Sequence, residues 1–203
     1  MATKKDIDPT ALRFLGAKNA QEVQIIEGQK ANAERLQAQT EKFLLEEACD
    51  LGDSLVRYVT AHSNEYTPQH LIFGMVLGTF CLREDYLDGK EKFDEIADQG
   101  GKDLKLEVQG EDLTEERIKQ IIKNVQLSPE AVQLGAQFAE LYAGYVAMKK
   151  RQTSISNIQI AYGLGRAFHN LRLTFPEDEG GRLAFDELAK QAGAYFDANK
   201  GST

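Results

Sequence analysis

The chain has 203 residues, 42% of them hydrophobic, and a formal net charge of −8 at pH 7. This hydrophobic content is enough to build a buried core, so the composition excludes an intrinsically disordered chain. The negative charge disfavours nonspecific binding to nucleic acid, because an acidic surface repels phosphates.

Several features predict a cytoplasmic protein without membrane contact. The amino-terminal residues lack the apolar core of a secretory signal. The longest apolar run, residues 71–82, has 12 residues, whereas a bilayer-spanning helix needs about 20. Cys49 and Cys81 lie in apolar helical contexts without a CxxC partner, which is typical of reduced core thiols in a cytosolic protein.

The first predicted elements are two helices of different length. Asp8 and Pro9 provide an N-cap and a first helical residue, so they predict a short helix. A second, long helix is predicted from about residue 20 to 62, because Glu, Gln, Lys and Ala dominate a stretch without proline.

A thin apolar stripe marks the first part of the long helix. Ile26, Ala33, Leu36 and Phe43 keep heptad spacing, which Thr40 and Glu47 interrupt. This stripe is too narrow to dock a helix firmly, so it predicts an arm that projects from the core or is completed by another chain. We therefore expect an amino-terminal helical arm over residues 1–45 and a helical core domain over residues 46–203.

The apolar run belongs to a helix predicted over residues 68–87 and opened by Thr67 and Pro68. Its residues are apolar nearly all round, so it should be the central helix of the core. Gly74 and Gly78 lie four residues apart within it, which favours close approach of a second helix. The expected partner begins at Ser128 and Pro129 and carries small residues at every fourth position, namely Ala131, Gly135, Ala139, Ala143 and Ala147.

The remaining elements complete an all-α fold of seven or eight helices. Gly100 and Gly101 should end an acidic helix over 90–99, and residues 104–108 alternate in polarity, which fits a strand or, preferably, a loop. A capping box of Asp112 and Glu115 predicts a helix over 113–125. Two further helices are predicted over 157–173, capped by Ser154 or Ser156, and over 182–198.

Motifs of several enzyme classes are missing from the sequence. It contains no GxxxxGK[ST] motif and no HExxH motif, and no glutamate lies three residues before any histidine. These absences leave P-loop hydrolysis and ferritin-type di-iron chemistry unsupported. We assign no catalytic residue and no cofactor, and the sequence leans away from an enzyme.

The strongest candidate site is a basic island between residues 141 and 176, a stretch without acidic residues. Arg166, His169 and Arg172 recur at a spacing of three, near one helix face, and Tyr162 is one turn away. Three further cations end the preceding helix, namely Lys149, Lys150 and Arg151. This pattern predicts recognition of an anion, although charge capping of a helix end gives the same pattern.

Two other clusters have weaker chemistry. His62, Glu65 and His70 flank an interhelical turn and include ligand types of transition metals. Equally, polar residues are ordinary in a connection, so we assign no metal. The carboxylates of Glu46, Asp50 and Asp53 share a helix face, as the solvated side of an amphipathic helix also would.

The sequence favours a non-catalytic protein that acts through association, as a homo-oligomeric scaffold, most simply a dimer, or as an adaptor for a protein partner. Residues 84–98 are strongly acidic and could pair with the basic island, either between two copies or within one. The alternative function is a helical sensor that binds a small molecule or anion at the basic island, whose basic residues lie within 149–172.

Overall fold

The computed structural model describes residues 20–104 and 113–200, and every regular element in these ranges is an α-helix. The all-α prediction is therefore confirmed. The helices are α1 (Ala20–Ala61), α2 (Pro68–Glu84), α3 (Lys90–Lys102), α4 (Glu115–Asn124), α5 (Pro129–Thr153), α6 (Asn157–Leu173) and α7 (Gly181–Asn199). The helix predicted after Asp8 and the alternating residues 105–108 lie outside the described residues.

The chain divides into two compact units, Met1–Leu45 and Glu46–Thr203. In the first unit the structure describes the amino-terminal part of α1, where the side chains of residues 27–39 and 41–45 are exposed. The second unit contains the rest of α1 and the other helices, and its core is built from aliphatic and aromatic side chains of all of them.

Local capping explains where most helices begin. Thr67 and Ser156 each accept a hydrogen bond from the backbone N–H three residues later, and the side chain at that position accepts from the cap's N–H in return. Ser128 accepts from the Ala131 N–H. Because such caps satisfy otherwise unpaired N–H groups, the starts predicted at Thr67 and Ser128 are confirmed, and Ser156 rather than Ser154 caps α6.

Two predicted helix boundaries are wrong. The start of α4 is capped by Thr114, whose hydroxyl accepts from the Arg117 N–H; the predicted cap, Asp112, lies outside the described residues. Helix α2 ends at Glu84 rather than at residue 87. The N–H of Asp85 donates to the Cys81 carbonyl and closes the last turn of the helix.

The predicted stop at Gly100 and Gly101 is also wrong, because both glycines are buried inside α3. A Cβ atom on Gly100 would collide with the backbone of Tyr162 in α6. The pair therefore permits a close crossing of two helices. Glycine is favoured both at helix ends and at close backbone contacts, and local sequence alone does not separate the two roles.

Helix α2 packs against α5 and α7, and its residues 71–78 are all buried. The predicted small-residue contact is present: a Cβ atom on Gly74 would meet the backbone of Gly135 and Ala139, and one on Gly78 would meet the Ala139 carbonyl. These contacts let the two backbones approach closely. Ala147 is exposed, so the small-residue ridge does not contribute to the core along its whole length.

Candidate functional site

Arg166 and Arg172 of the basic island have acidic partners on different helices. Nε of Arg166 lies 3.4 Å from Oδ1 of Asp53 in α1. The guanidinium of Arg172 forms a bidentate pair with Asp186 in α7, with N–O distances of 2.5 and 2.6 Å. An anion at either arginine would compete with a carboxylate that is already in place.

The lysines and the tyrosine of the island are also engaged within the chain. Nζ of Lys149 lies 5.4 Å from the centre of the Tyr145 ring, and Nζ of Lys150 donates to Oδ1 of Asn157 at 2.6 Å. The hydroxyl of Tyr162 donates to Oδ2 of Asp103 at 2.8 Å. Burial, and next this hydrogen bond, raise the pKa of Tyr162. Arg151 is exposed.

The histidines of the candidate metal cluster form hydrogen bonds with nearby backbone groups at helix ends. Nδ1 of His62 lies 2.8 Å from the Tyr58 carbonyl oxygen, and Nδ1 of His70 accepts from the Thr67 N–H as part of the α2 capping box. Glu65 is exposed. In the part of the chain that the structure describes, no three His, Cys, Asp or Glu side chains form a group that could hold a metal ion.

The carboxylates near the end of the arm connect α1 to α6. Glu47 accepts from Nε2 of the buried Gln159 at 2.7 Å, and Asp53 pairs with Arg166. Asp50 and Glu46 are exposed. The carboxylates predicted to share a helix face therefore do not act together: Asp53 takes part in helix packing, whereas Glu46 and Asp50 are exposed.

The acidic segment, residues 84–98, finds cations outside the basic island. Glu84 contacts Lys90 and Lys200, and Asp94 pairs with Arg83. Helix α3 does pack on α6, so the acidic and basic segments are neighbours within one copy. The pairing of the two segments across copies stays a prediction.

A cavity of about 320 Å³ lies between α2, α3 and α6. Its wall is mostly apolar, with charged groups and one histidine added. The apolar or small lining residues are Val76, Thr79, Phe80, Phe93, Ala97, Gly101, Leu164, Gly165 and Phe168, and the polar ones are Arg83, Asp94, Asp98, Lys102 and His169. We call this space the α2–α3–α6 cavity.

Close contacts fix the three helices around the cavity. A Cβ atom on Gly165 would collide with the backbone of Ala97, so α6 and α3 touch at this point. Arg83 of α2 donates from Nε to Oδ1 of Asp94 in α3 at 2.6 Å, and its second nitrogen contacts Oδ2. This pairing holds the pKa of Arg83 above its ordinary value. Together these contacts fix α3 relative to both α2 and α6 beside the cavity.

His169 is the residue that the basic island contributes to the cavity lining. Burial, and next the charge of Arg172, lower its pKa below the ordinary 6.5, while Asp98 opposes the shift. The lowered pKa favours the neutral form of the ring at pH 7. A neutral imidazole has one hydrogen-bond donor and one acceptor, so it suits a polar uncharged group better than an anion.

Sequence reasoning missed most of this cavity. Phe80, Phe93 and Phe168 lie on three helices, and each follows an ordinary apolar pattern on its own. The available signals were the glycines of α3 and α6, which mark close backbone approach, and His169, which the charge pattern singled out for another reason.

Among the described helices, none combines the length and the apolar character that crossing a bilayer requires. Comparison of the chain with protein-family models, with curated protein sequences and with solved structures finds no significant match.

Proposed function

We propose that this protein acts through self-association in the cytoplasm, as a homodimeric scaffold or adaptor. Residues 1–45 are the associating arm in this proposal, and residues 46–203 are the helical core domain. The two free thiols, Cys49 and Cys81, support an intracellular location, since reducing conditions keep thiols unpaired.

The observation that carries the proposal is the exposure of Phe43, which presents 58% of its surface to solvent at a heptad position of α1. Leu36, one heptad earlier, is 62% exposed. An amphipathic helix gains most of its stability by burying its apolar side, and pairing with the same helix of a second copy would bury this seam symmetrically.

The test uses the full-length chain and its mass in solution. Sedimentation velocity should give about 45 kDa, twice the 22.6 kDa of one chain. Phe43→Glu should shift the population to monomer, because it places a charge in the apolar seam of both helices. Leu45→Glu is the matched control, since Leu45 is exposed on the same helix but lies off the heptad seam.

Salt dependence separates two modes of association. An apolar seam should keep its dimer at high salt, whereas pairing of residues 84–98 with the basic island should weaken as salt screens the charges. A wild-type chain that sediments as a monomer at both low and high ionic strength would refute self-association. Equal loss of dimer in Phe43→Glu and Leu45→Glu would refute the heptad seam.

The alternative of an anion sensor at the basic island has weaker support and stays a prediction. Arg166 and Arg172 already contact Asp53 and Asp186, so an anion at these arginines would have to displace those carboxylates. Arg166→Ala should abolish any thermal stabilisation by an anionic metabolite if the alternative is correct.

A further inference from the structure

We propose that the α2–α3–α6 cavity is a binding site for an uncharged, mainly aromatic small molecule with one hydrogen-bonding group. The cavity volume of about 320 Å³ lies near the lower end of the range of about 300–1,000 Å³ that is typical of ligand sites. It therefore fits a molecule of up to about three rings.

The space is a half-open pocket, about ten times the volume of roughly 30 Å³ that one water molecule takes in the liquid. Here the glycine contact between α6 and α3 and the Arg83–Asp94 pair between α2 and α3 fix the positions of the three helices that line it. The cavity is thus a consequence of how these helices are fixed.

The apolar wall determines the main part of the ligand. The rings of Phe80, Phe93 and Phe168 line the cavity from three different helices. Aromatic side chains make favourable offset or edge contacts with another ring, and they have no hydrogen bonds to offer to a polar ligand. A flat apolar ring system therefore matches this wall.

The charged lining residues balance one another. Arg83 pairs with Asp94, and Lys102 pairs with Asp98. A charged ligand would lose hydration without gaining a spare counter-charge, which is costly in an apolar site. This balance favours an uncharged ligand over both an anion and a cation.

His169 determines the polar part. It reaches the cavity from α6, beside Gly101 of α3, where a Cβ atom would lie 3.2 Å from the His169 Cβ. The charged groups that bear on the ring are Arg172 on its own helix and Asp98 on α3. A neutral imidazole can donate to a carbonyl or accept from a hydroxyl, so a phenol-like or ketone-like group fits.

The binding test uses a fluorescent probe and three naphthalene competitors that differ in charge. The neutral fluorophore N-phenyl-1-naphthylamine is first titrated into the full-length protein and should brighten to saturation. Neutral 2-naphthol should then displace it about tenfold or more better than anionic 2-naphthoate or cationic 2-naphthylmethylammonium, because burying a charge is costly. Absence of saturable binding, or preference for either ion, would overturn the proposal.

Variants locate the site. Ala97→Phe fills the cavity and should weaken binding at least tenfold, whereas Ala194→Phe makes the same change at an exposed helix position and should bind as the wild type. Because His169 can hydrogen-bond to the hydroxyl, the wild type should bind 2-naphthol more tightly than naphthalene. His169→Leu should remove this preference. Wild-type affinity in a folded Ala97→Phe variant, checked by far-UV circular dichroism, would overturn the assignment.

A measurement on the unaltered protein covers the case in which Ala97→Phe does not fold. Amide NMR shifts caused by 2-naphthol should concentrate at residues 97–101 and 164–169. Shifts centred on the groove that includes Ala136, Tyr195 and Phe196 would place the ligand elsewhere and refute the proposal. These outcomes do not depend on the oligomeric state, so they are distinct from the test of self-association.

Discussion

Gly165 of α6 lies so close to Ala97 of α3 that a Cβ atom at position 165 would overlap the Ala97 backbone. The neighbouring Gly163 faces α1 instead, where its Cβ would lie 3.0 Å from the Ala48 carbonyl oxygen. Two glycines separated by one residue thus allow α6 to touch two helices in different directions.

Gly165→Ala should therefore destabilise the protein by about 1–3 kcal/mol, the usual cost of overpacking a tight contact. Backbone atoms cannot move aside as a flexible side chain can. The free energy of unfolding from urea titration measures this loss.

Gly144→Ala is the matched control. Gly144 is exposed inside α5, and nothing lies within 4 Å of an added Cβ atom. Because alanine is the better helix former by about 1 kcal/mol, this variant should be more stable than the wild type. A Gly165→Ala variant that gains stability in the same way would contradict the close contact.

The glycines also show what the sequence could and could not predict. Gly74 and Gly78 lie within one apolar helix and opposite a regular small-residue ridge, so periodicity was enough to predict their contact. Gly100 and Gly165 make contacts between α3 and α6, which are separated along the chain by α4 and α5. No local pattern specifies which helix comes to lie opposite such a glycine.

The start of α4 provides a second prediction. Thr114→Ala should lower the free energy of unfolding by about 1 kcal/mol, because it removes the hydroxyl that accepts from the Arg117 N–H. Asp112→Ala should leave stability nearly unchanged, since Thr114 occupies the cap position. A larger loss in the Asp112 variant than in the Thr114 variant, in urea titrations, would restore the sequence-based assignment.

The third prediction concerns an aromatic cluster around Phe138, which is fully buried. Its ring lies 5.5 Å from His62 and 5.3 Å from Tyr66, measured between ring centroids. Phe138→Ala should cost about 3–5 kcal/mol, as is usual for truncating a buried phenylalanine. Leu134→Ala, on the same helix but exposed, should cost much less in the same denaturation experiment.

This cluster explains why the sequence alone could not decide between a metal site and an ordinary connection at this turn. His62 and Tyr66 flank a turn, where polar side chains suggest a site. In the fold the His62 ring packs on Phe138 and its Nδ1 lies beside the Tyr58 carbonyl. The ring therefore contributes to packing, and this role depends on α5, a helix remote in sequence.

The last prediction is the pH dependence of stability. Burial lowers the pKa of His70 and of His169 below 6.5 in the folded protein, whereas the unfolded chain should titrate near the ordinary value. Just below pH 6.5 the unfolded state therefore binds more protons than the folded state. By linkage, the contribution of these histidines to the free energy of unfolding is largest above this pH. It is lost as the pH falls through the lowered pKa values.

Urea titrations at pH 7.5, 6.5 and 5.5 measure this effect. Carboxylates titrate mostly below this window, so replacing the two histidines should remove much of the decline. His70→Gln and His169→Gln should each flatten the profile, and the double variant should flatten it further. Asp98→Asn should steepen it, because Asp98 opposes the shift at His169. A double variant that still loses as much stability as the wild type by pH 5.5 would show that these two rings do not govern the acid response.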